Sequence, residues 1–402
     1  MRQVNLLESL EKQEEKFKDT LILNPVENVP FSDILSPCSS FLHGLYNTDT
    51  SRNTEQKINS KIQFSGRDNI THDIDYIYSQ WAKLLHGERV SMRLLSGLHA
   101  HTVLFMSITN IGDKVLLLPE KAGGHTSGKA ILKRLGLKIA ELPCDNNQHR
   151  INLDDAKKIY NEFQPNILFI DRSEGLVYED FTELCQFCQC YKIFDASQYL
   201  TNIICRDYKN PFDMGFDLIL STMHKNLPGP QRAFVCTKKE DDMWQKLRSN
   251  ISVYVSNMHV FSIYSAGLLL NYMDELAILS KTMLENATKL DRELANRDIP
   301  VIPRILKNQE LPTHHCWIKP DGQDKTFRLY LTLEKLGLLA NYRLLPYNIG
   351  YGLRLGMSGA TMSGLKPIHI PELAALIKNA YEYGDSEQLQ QQALDFIRKV
   401  KG

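Results

Sequence analysis

The chain has 402 residues, 43% of them hydrophobic, and its 47 Lys plus Arg balance its 47 Asp plus Glu to a net charge of zero. That length suits two globular units better than one small core, and the even charge excludes a nucleic-acid surface or an anionic membrane as the main partner. No run has the length and apolarity of a signal peptide or a membrane-spanning helix, so a cytoplasmic small-molecule enzyme is the expectation.

Residues 1–50 are expected to form an N-terminal arm. In the following 51–255, short β-rich runs alternate with helical patterns. The runs are Val90–Leu94, Val115–Leu118, Ile139–Leu142, Ile167–Asp171, Lys192–Asp195, Leu218–Ser221 and Ala233–Thr237. The helical stretches include His99–Ile108, Thr126–Leu135, Leu153–Phe163 and Phe181–Gln189. This alternation predicts an α/β fold with a mostly parallel sheet between helices, and ligands in such sheets collect outside the carboxyl ends of the strands. Cys185, Cys188 and Cys190 sit in the run Glu183–Cys190, which looks like part of a helix, with only scattered histidines as further ligands, so reduced thiols and no metal are expected. Beyond, in 256–402, one long helical run from Ser262 to Asp298 predicts a connecting helix. Strands near His315–Ile318 and Gly352–Arg354 and a helix over Ile370–Tyr383 complete a smaller α+β domain.

The sharpest local signal is Ser221-Thr222-Met223-His224-Lys225-Asn226-Leu227-Pro228-Gly229-Pro230. A lysine just past a strand, followed by a Gly/Pro turn, stands at the sheet's carboxyl edge, where its amine can condense with an aldehyde cofactor; alone it could equally be a surface charge. Asp195 ends the run Tyr191-Lys192-Ile193-Phe194-Asp195. There it can pair with the ring nitrogen of a pyridine cofactor, or simply cap a helix. Ser96-Gly97-Leu98 follows a strand and opens a helix, where backbone N–H groups suit a phosphate. His99 and His101, two apart on that helix, face different ways and make no metal pair.

The order of these elements resembles the serine hydroxymethyltransferase branch of the aspartate-aminotransferase fold type, pyridoxal-phosphate (PLP) fold type I. Thr222, His224-Lys225 and the Leu227-Pro228-Gly229-Pro230 turn look like that family's lysine motif, and Gly123-Gly124-His125 looks like its GGH. The resemblance implies a seven-stranded sheet in the large domain, PLP on Lys225 and His125 stacked on the ring. It also implies Asp195 on the ring nitrogen, and Ser173, Gln198 and Thr222 near the cofactor. Ser96, Gly97 and Leu98 would hold the phosphate, helped by the neighbouring subunit's Ser256-Asn257 segment. Arg354, followed by Thr361 and Gly364, would clamp the substrate carboxylate, with Glu27 and Tyr46 beside it. His125 could otherwise be a loop residue, Arg354 a surface ion pair and Tyr46 simple packing. A homodimer with shared active sites and an amino acid substrate is likewise what the resemblance implies.

The pattern also departs from the family. Where it has a glutamate near the tyrosine, this chain has Thr48 and Asp49; Val26 replaces a serine, Gln198 a histidine, and Asn341–Tyr347 lacks an Asn-Lys-Asn. These departures argue for folate-independent cleavage or formation of a Cα–Cβ bond, with His224, Asp49 or Tyr46 moving the β-hydroxyl proton. Transamination, β-elimination and a non-catalytic regulatory role are the alternatives.

Overall fold

A computed structural model describes residues 5–48, 53–307 and 310–402. Seven strands form the central sheet: β1 Arg89–Ser91, β2 Lys114–Leu117, β3 Lys138–Glu141, β4 Ile167–Asp171, β5 Tyr191–Asp195, β6 Leu218–Thr222 and β7 Ala233–Thr237. Their spatial order is β1-β7-β6-β5-β4-β2-β3. The neighbours from β6 through β3 run parallel, whereas β7 is antiparallel to both β6 and β1.

Alternation along each strand splits the sheet's apolar residues between two layers. Leu116, Leu168, Ile170, Phe194, Ile219 and Phe234 pack into the core that includes Ile74, Ile77 and Trp81 of the helix Asp68–Leu85. Val115, Leu117, Ile167, Ile193, Leu220 and Val235 pack on the other side, against the helices Gly97–Ile108 and Asp242–Tyr254. Both faces are covered, so the central strands are buried end to end, as a parallel sheet requires. This is the fold expected from the sequence.

A further core belongs to the C-terminal part. The antiparallel strands β8 His315–Ile318, β9 Asn341–Leu345 and β10 Gly350–Gly356 lie in the order β8-β10-β9. The helices Gln323–Lys335, Ile370–Tyr383 and Glu387–Lys401 pack on them. Leu21 and Leu23 join this core, and Leu21–Ile22 pairs in parallel with Leu338–Leu339. Ile34 and Leu42, slightly later in the chain, join the core of the large sheet instead.

The run expected as one helix from Ser262 to Asp298 is broken. Helix Val260–Leu268 passes through a tight 3-10 turn, Leu269–Tyr272, into helix Met273–Ala295. Leu269 is buried at that turn, and Tyr272 stacks on Phe31 with ring centroids 4.6 Å apart. Tertiary contacts thus meet the run where Gly267 and Asn271 make its helical propensity weakest. The second helix buries Leu276 and Met283 in the large core and Leu290 and Leu294 in the small one, bridging the two. Among the described residues, no helix is long and apolar enough to cross a membrane, and all eight cysteines are free.

Candidate active site

Two adjacent parallel strands end in carboxylates at the same level, because Asp171 of β4 stands in register with Asp195 of β5. β6, beside β5, ends at Thr222, and the chain then turns through His224 and Lys225. That turn is tightly built. Met223 N–H donates to Arg232 O at 2.8 Å and Gly229 N–H to Met223 O at 3.1 Å. A Cβ on Gly229 would lie 2.4 Å from Met223 O, so only glycine fits. Asn226 accepts from Thr201 N–H at 2.7 Å, and Asn28 donates to Leu227 O and Gly229 O at 2.8 and 2.9 Å. Arg232 is fully buried and donates to Met92 O and Ser262 Oγ, tying β1's exit to the turn. The half-buried Lys225 thus sits on a rigid mount.

Around it the predicted residues converge. Ser96 caps the helix Gly97–Ile108, its Oγ accepting from His99 N–H at 3.4 Å. Gly97 faces Thr222, whose Cγ2 would be 3.1 Å from a Cβ at that position. The Thr222 hydroxyl is buried and makes no hydrogen bond, while Thr222 N–H donates to Ser197 Oγ at 2.9 Å. An unpartnered hydroxyl beside a capped helix N-terminus, with no side chain on Gly97, could hold a phosphate. His125 follows two glycines that the backbone demands. A Cβ on Gly123 (φ +88°) would lie 2.0 Å from Glu174 O, and one on Gly124 2.2 Å from Leu118 O. His125 feels the charges of Lys225, His101 and Asp195, and burial first, then Lys225, pushes its imidazole down to about 4. It is neutral at pH 7 and so adds no second cation beside Lys225.

The carboxylates divide their roles. His101, dismissed as a ligand on helical spacing, points at them: its Nε2 lies 2.8 Å from Asp195 Oδ2 and 3.8 Å from Asp171 Oδ2. Burial alone would raise Asp195, but the His101 hydrogen bond and charge, Lys225 and the Ser197 N–H bond hold it below the usual carboxylate range. Asp171, buried and facing Asp195, is pushed up to about 6. An ionised carboxylate at the ring nitrogen's expected place is what a pyridinium needs.

Arg354, on β10 between Trp317 and Asn341, reaches the same region. Its guanidinium is 3% exposed, with Nη1 3.5 Å from Ser173 O and 3.9 Å from Glu174 Oε1, and its Nε is without a partner. Burial lowers it to about 10, so it remains a cation. Arg343 takes the closer contact with Glu174, at 2.5 Å. A buried guanidinium so loosely paired is poised for a carboxylate. Ser173 is buried, its hydroxyl 3.3 Å from Asp171 Oδ1. Gln198 is buried too, with Oε1 3.3 Å from His315 Nε2.

Other predicted residues lie apart. Tyr46 is 43% exposed and packs on Phe64, ring centroids 5.3 Å apart, rather than among the residues around Lys225. Glu27 is exposed and accepts from Asn24 Nδ2 at 2.7 Å. Asp49 lies outside the described residues. Asn257 Oδ1 accepts from Asn47 N–H at 3.1 Å, on the same flank as Tyr46. Sequence reasoning missed His101, Asp171 and the buried pair His314 and His315, whose rings lie 4.4 Å apart. His101 could have been flagged as the residue one turn inside the helix that follows β1. Nothing local marks the His314-His315 pair.

The chain matches the family model described as serine hydroxymethyltransferase over residues 3–377. Curated relatives of that name include one from Pyrobaculum arsenaticum, 27% identical over 335 residues (80% of this chain, 77% of the relative). Another, from Pyrobaculum aerophilum, is 26% identical over 393 residues (94% and 88%). The crystal structure of an L-threonine transaldolase from Pseudomonas fluorescens superposes with a TM-score of 0.90 at 19% identity, covering 99% of this chain and 91% of that one, which establishes the shared fold. Lysine, carboxylates, imidazole and phosphate cradle fit pyridoxal phosphate in this fold, and the chain belongs to the serine hydroxymethyltransferase family as a PLP-dependent fold type I enzyme.

Proposed function

We propose that this enzyme makes or breaks the Cα–Cβ bond of an amino acid without folate. The carrying observation is the convergence of Lys225, Asp195, His125 and Arg354 outside the carboxyl ends of β4, β5 and β6. Pyridoxal phosphate, when bound, supplies the sink for electrons released at Cα. Lys225 provides the amine that attaches it, Asp195 meets the ring nitrogen and His125 covers a ring face. Ser96, Gly97, Leu98 and Thr222 receive the phosphate, and Ser173 and Gln198 flank the ring.

Arg354 fixes the substrate's α-carboxylate, which orients the bond to be broken relative to the ring. His224, held down to about 4 by burial and then by Lys225, is neutral at pH 7 and its Nδ1 is without a partner. It can therefore accept the β-hydroxyl proton. Tyr46 and Glu27 belong to a shared site in a homodimer, which accounts for Tyr46's exposure in one chain. Eight unpaired thiols support a cytoplasmic setting.

The test is a panel of β-hydroxy amino acids incubated with the PLP-loaded enzyme and no folate. Released aldehyde is the expected product. Keto acid instead would favour transamination or β-elimination, and turnover only after adding tetrahydrofolate would overturn the folate-independent reading.

A further inference from the structure

His101 occupies a position the reaction outlined above does not use. It is 2% exposed, and the ring edges of His125 and Phe169 fix its plane, at 85° and 86°. Its Nε2 stands 2.8 Å from Asp195 Oδ2, and a carboxylate only accepts, so this nitrogen carries the proton. Its Nδ1 is buried without a partner. The groups that face it are Asp195, Asp171, Lys225 and His125.

Two carboxylates at neighbouring strand ends cannot both ionise cheaply in a buried site. In register alone, Asp171 and Asp195 are equivalent. His101 breaks that symmetry by lying an ångström nearer Asp195, at 2.8 against 3.8 Å. The charge collects first on Asp195, whereas Asp171, pushed up to about 6 by burial and by Asp195, is the one that takes a proton first on acidification. Burial would make His101 a weaker base, yet the Asp195 hydrogen bond and the Asp171 charge leave it raised.

We propose that His101 is a positioning residue which, by a charge-assisted hydrogen bond, keeps Asp195 ionised and turned toward the cofactor's ring nitrogen. The proposal rests on the reading that Asp195 meets that nitrogen. Glutamine can place an amide N–H where the imidazole Nε2 stands but cannot carry its charge, whereas leucine supplies neither. The experiment compares the native enzyme with His101→Gln, His101→Leu and Asp195→Asn. It measures pyridoxal phosphate affinity by titrating the apo forms, and the pH midpoint of the bound cofactor's visible band.

His101→Leu should weaken affinity by about tenfold or more, the effect of removing one partner of a buried charged hydrogen bond. His101→Gln should keep affinity within about threefold and move the midpoint upward by roughly half a unit or more, because an imidazole whose protonated form Asp195 and Asp171 favour is gone. Native affinity and a native midpoint in His101→Leu would overturn the proposal. Should that variant not fold by near-ultraviolet circular dichroism, an unshifted midpoint in His101→Gln would overturn it instead. Asp195→Asn separates the two claims. If it leaves the band and affinity native, the ring-nitrogen reading fails and this proposal with it; if it alters them while His101→Leu is native, only the role of His101 fails.

Discussion

At the scale of single residues, the site works by placing charges where few compensating partners exist. Lys225 is the covalent element of the proposed chemistry. Borohydride reduction of the PLP-loaded enzyme should trap the cofactor on the peptide containing Lys225, and Lys225→Ala should lose both adduct and visible band. Trapping on another lysine would sink the proposed function. Arg354 makes a second case. Its nearest anion, Glu174, is 3.9 Å away and more closely held by Arg343, so a substrate carboxylate has little competition. Arg354→Lys keeps the charge but loses the planar fork. KM for the amino acid should rise by about 10- to 100-fold, as expected for a lost bidentate contact. Steady-state kinetics would check this, and an unchanged KM would place the carboxylate elsewhere.

At the scale of elements, the turn from Met223 to Arg232 and the paired glycines before His125 hold the site by close backbone approach. A methyl group on Gly229 would meet Met223 O at 2.4 Å, and the turn that carries Lys225 would have to open. Gly229→Ala is expected to cost about 1–3 kcal/mol, the range for overpacking, and to weaken cofactor retention. Chemical denaturation and cofactor titration of one variant test both effects. Asn28 anchors the same turn from the N-terminal segment through Leu227 O and Gly229 O. The contact that explains Asn28 spans about two hundred positions of chain, so nothing local marks it. The broken helix between Val260 and Ala295 teaches the same lesson in reverse. It reads in the sequence as one helical run, and at the bend Leu269–Tyr272 the chain packs against Phe31 and the large core.

At the scale of the whole molecule, burial of neutral histidines ties stability to pH. His125 and His224 are lowered to about 4 and His314 to about 3, each with burial as the leading cause. Their ordinary value is 6.5, so between pH 6.5 and about 4 the unfolded chain binds protons that the folded one refuses. Their contribution is complete above pH 6.5 and is lost as pH falls through that window. Asp171, raised to about 6, runs the other way, as do His101, Glu174 and Glu179, also raised. With the three histidines dominant, unfolding free energy should fall on acidification by roughly 1.4 kcal/mol per pH unit for each net proton taken up. Denaturant titrations from pH 7.5 to 4.5 would measure this, and His224→Gln should flatten the slope; a rise in stability on acidification would refute the balance. The exposed Phe41 (77%) and Ile58 (76%), on the same N-terminal flank as Tyr46, suit burial against a second copy. Sedimentation should give a species of twice the 46.1 kDa chain, and a monomer with full activity would remove the shared-site reading.

Sequence alone determined the mostly parallel sheet, the Lys225 turn and Asp195 at its strand end, and resemblance to the family marked the glycines before His125. The first three follow from periodicity and turn chemistry, which act over a few residues and leave a local trace. Only the tertiary structure decided that His101 reaches Asp195, that Asp171 stands beside it, and that Arg354 lies buried with a distant counter-ion. Those facts depend on which strands become neighbours and how deeply a group is buried, and both are set by packing among segments far apart in the chain.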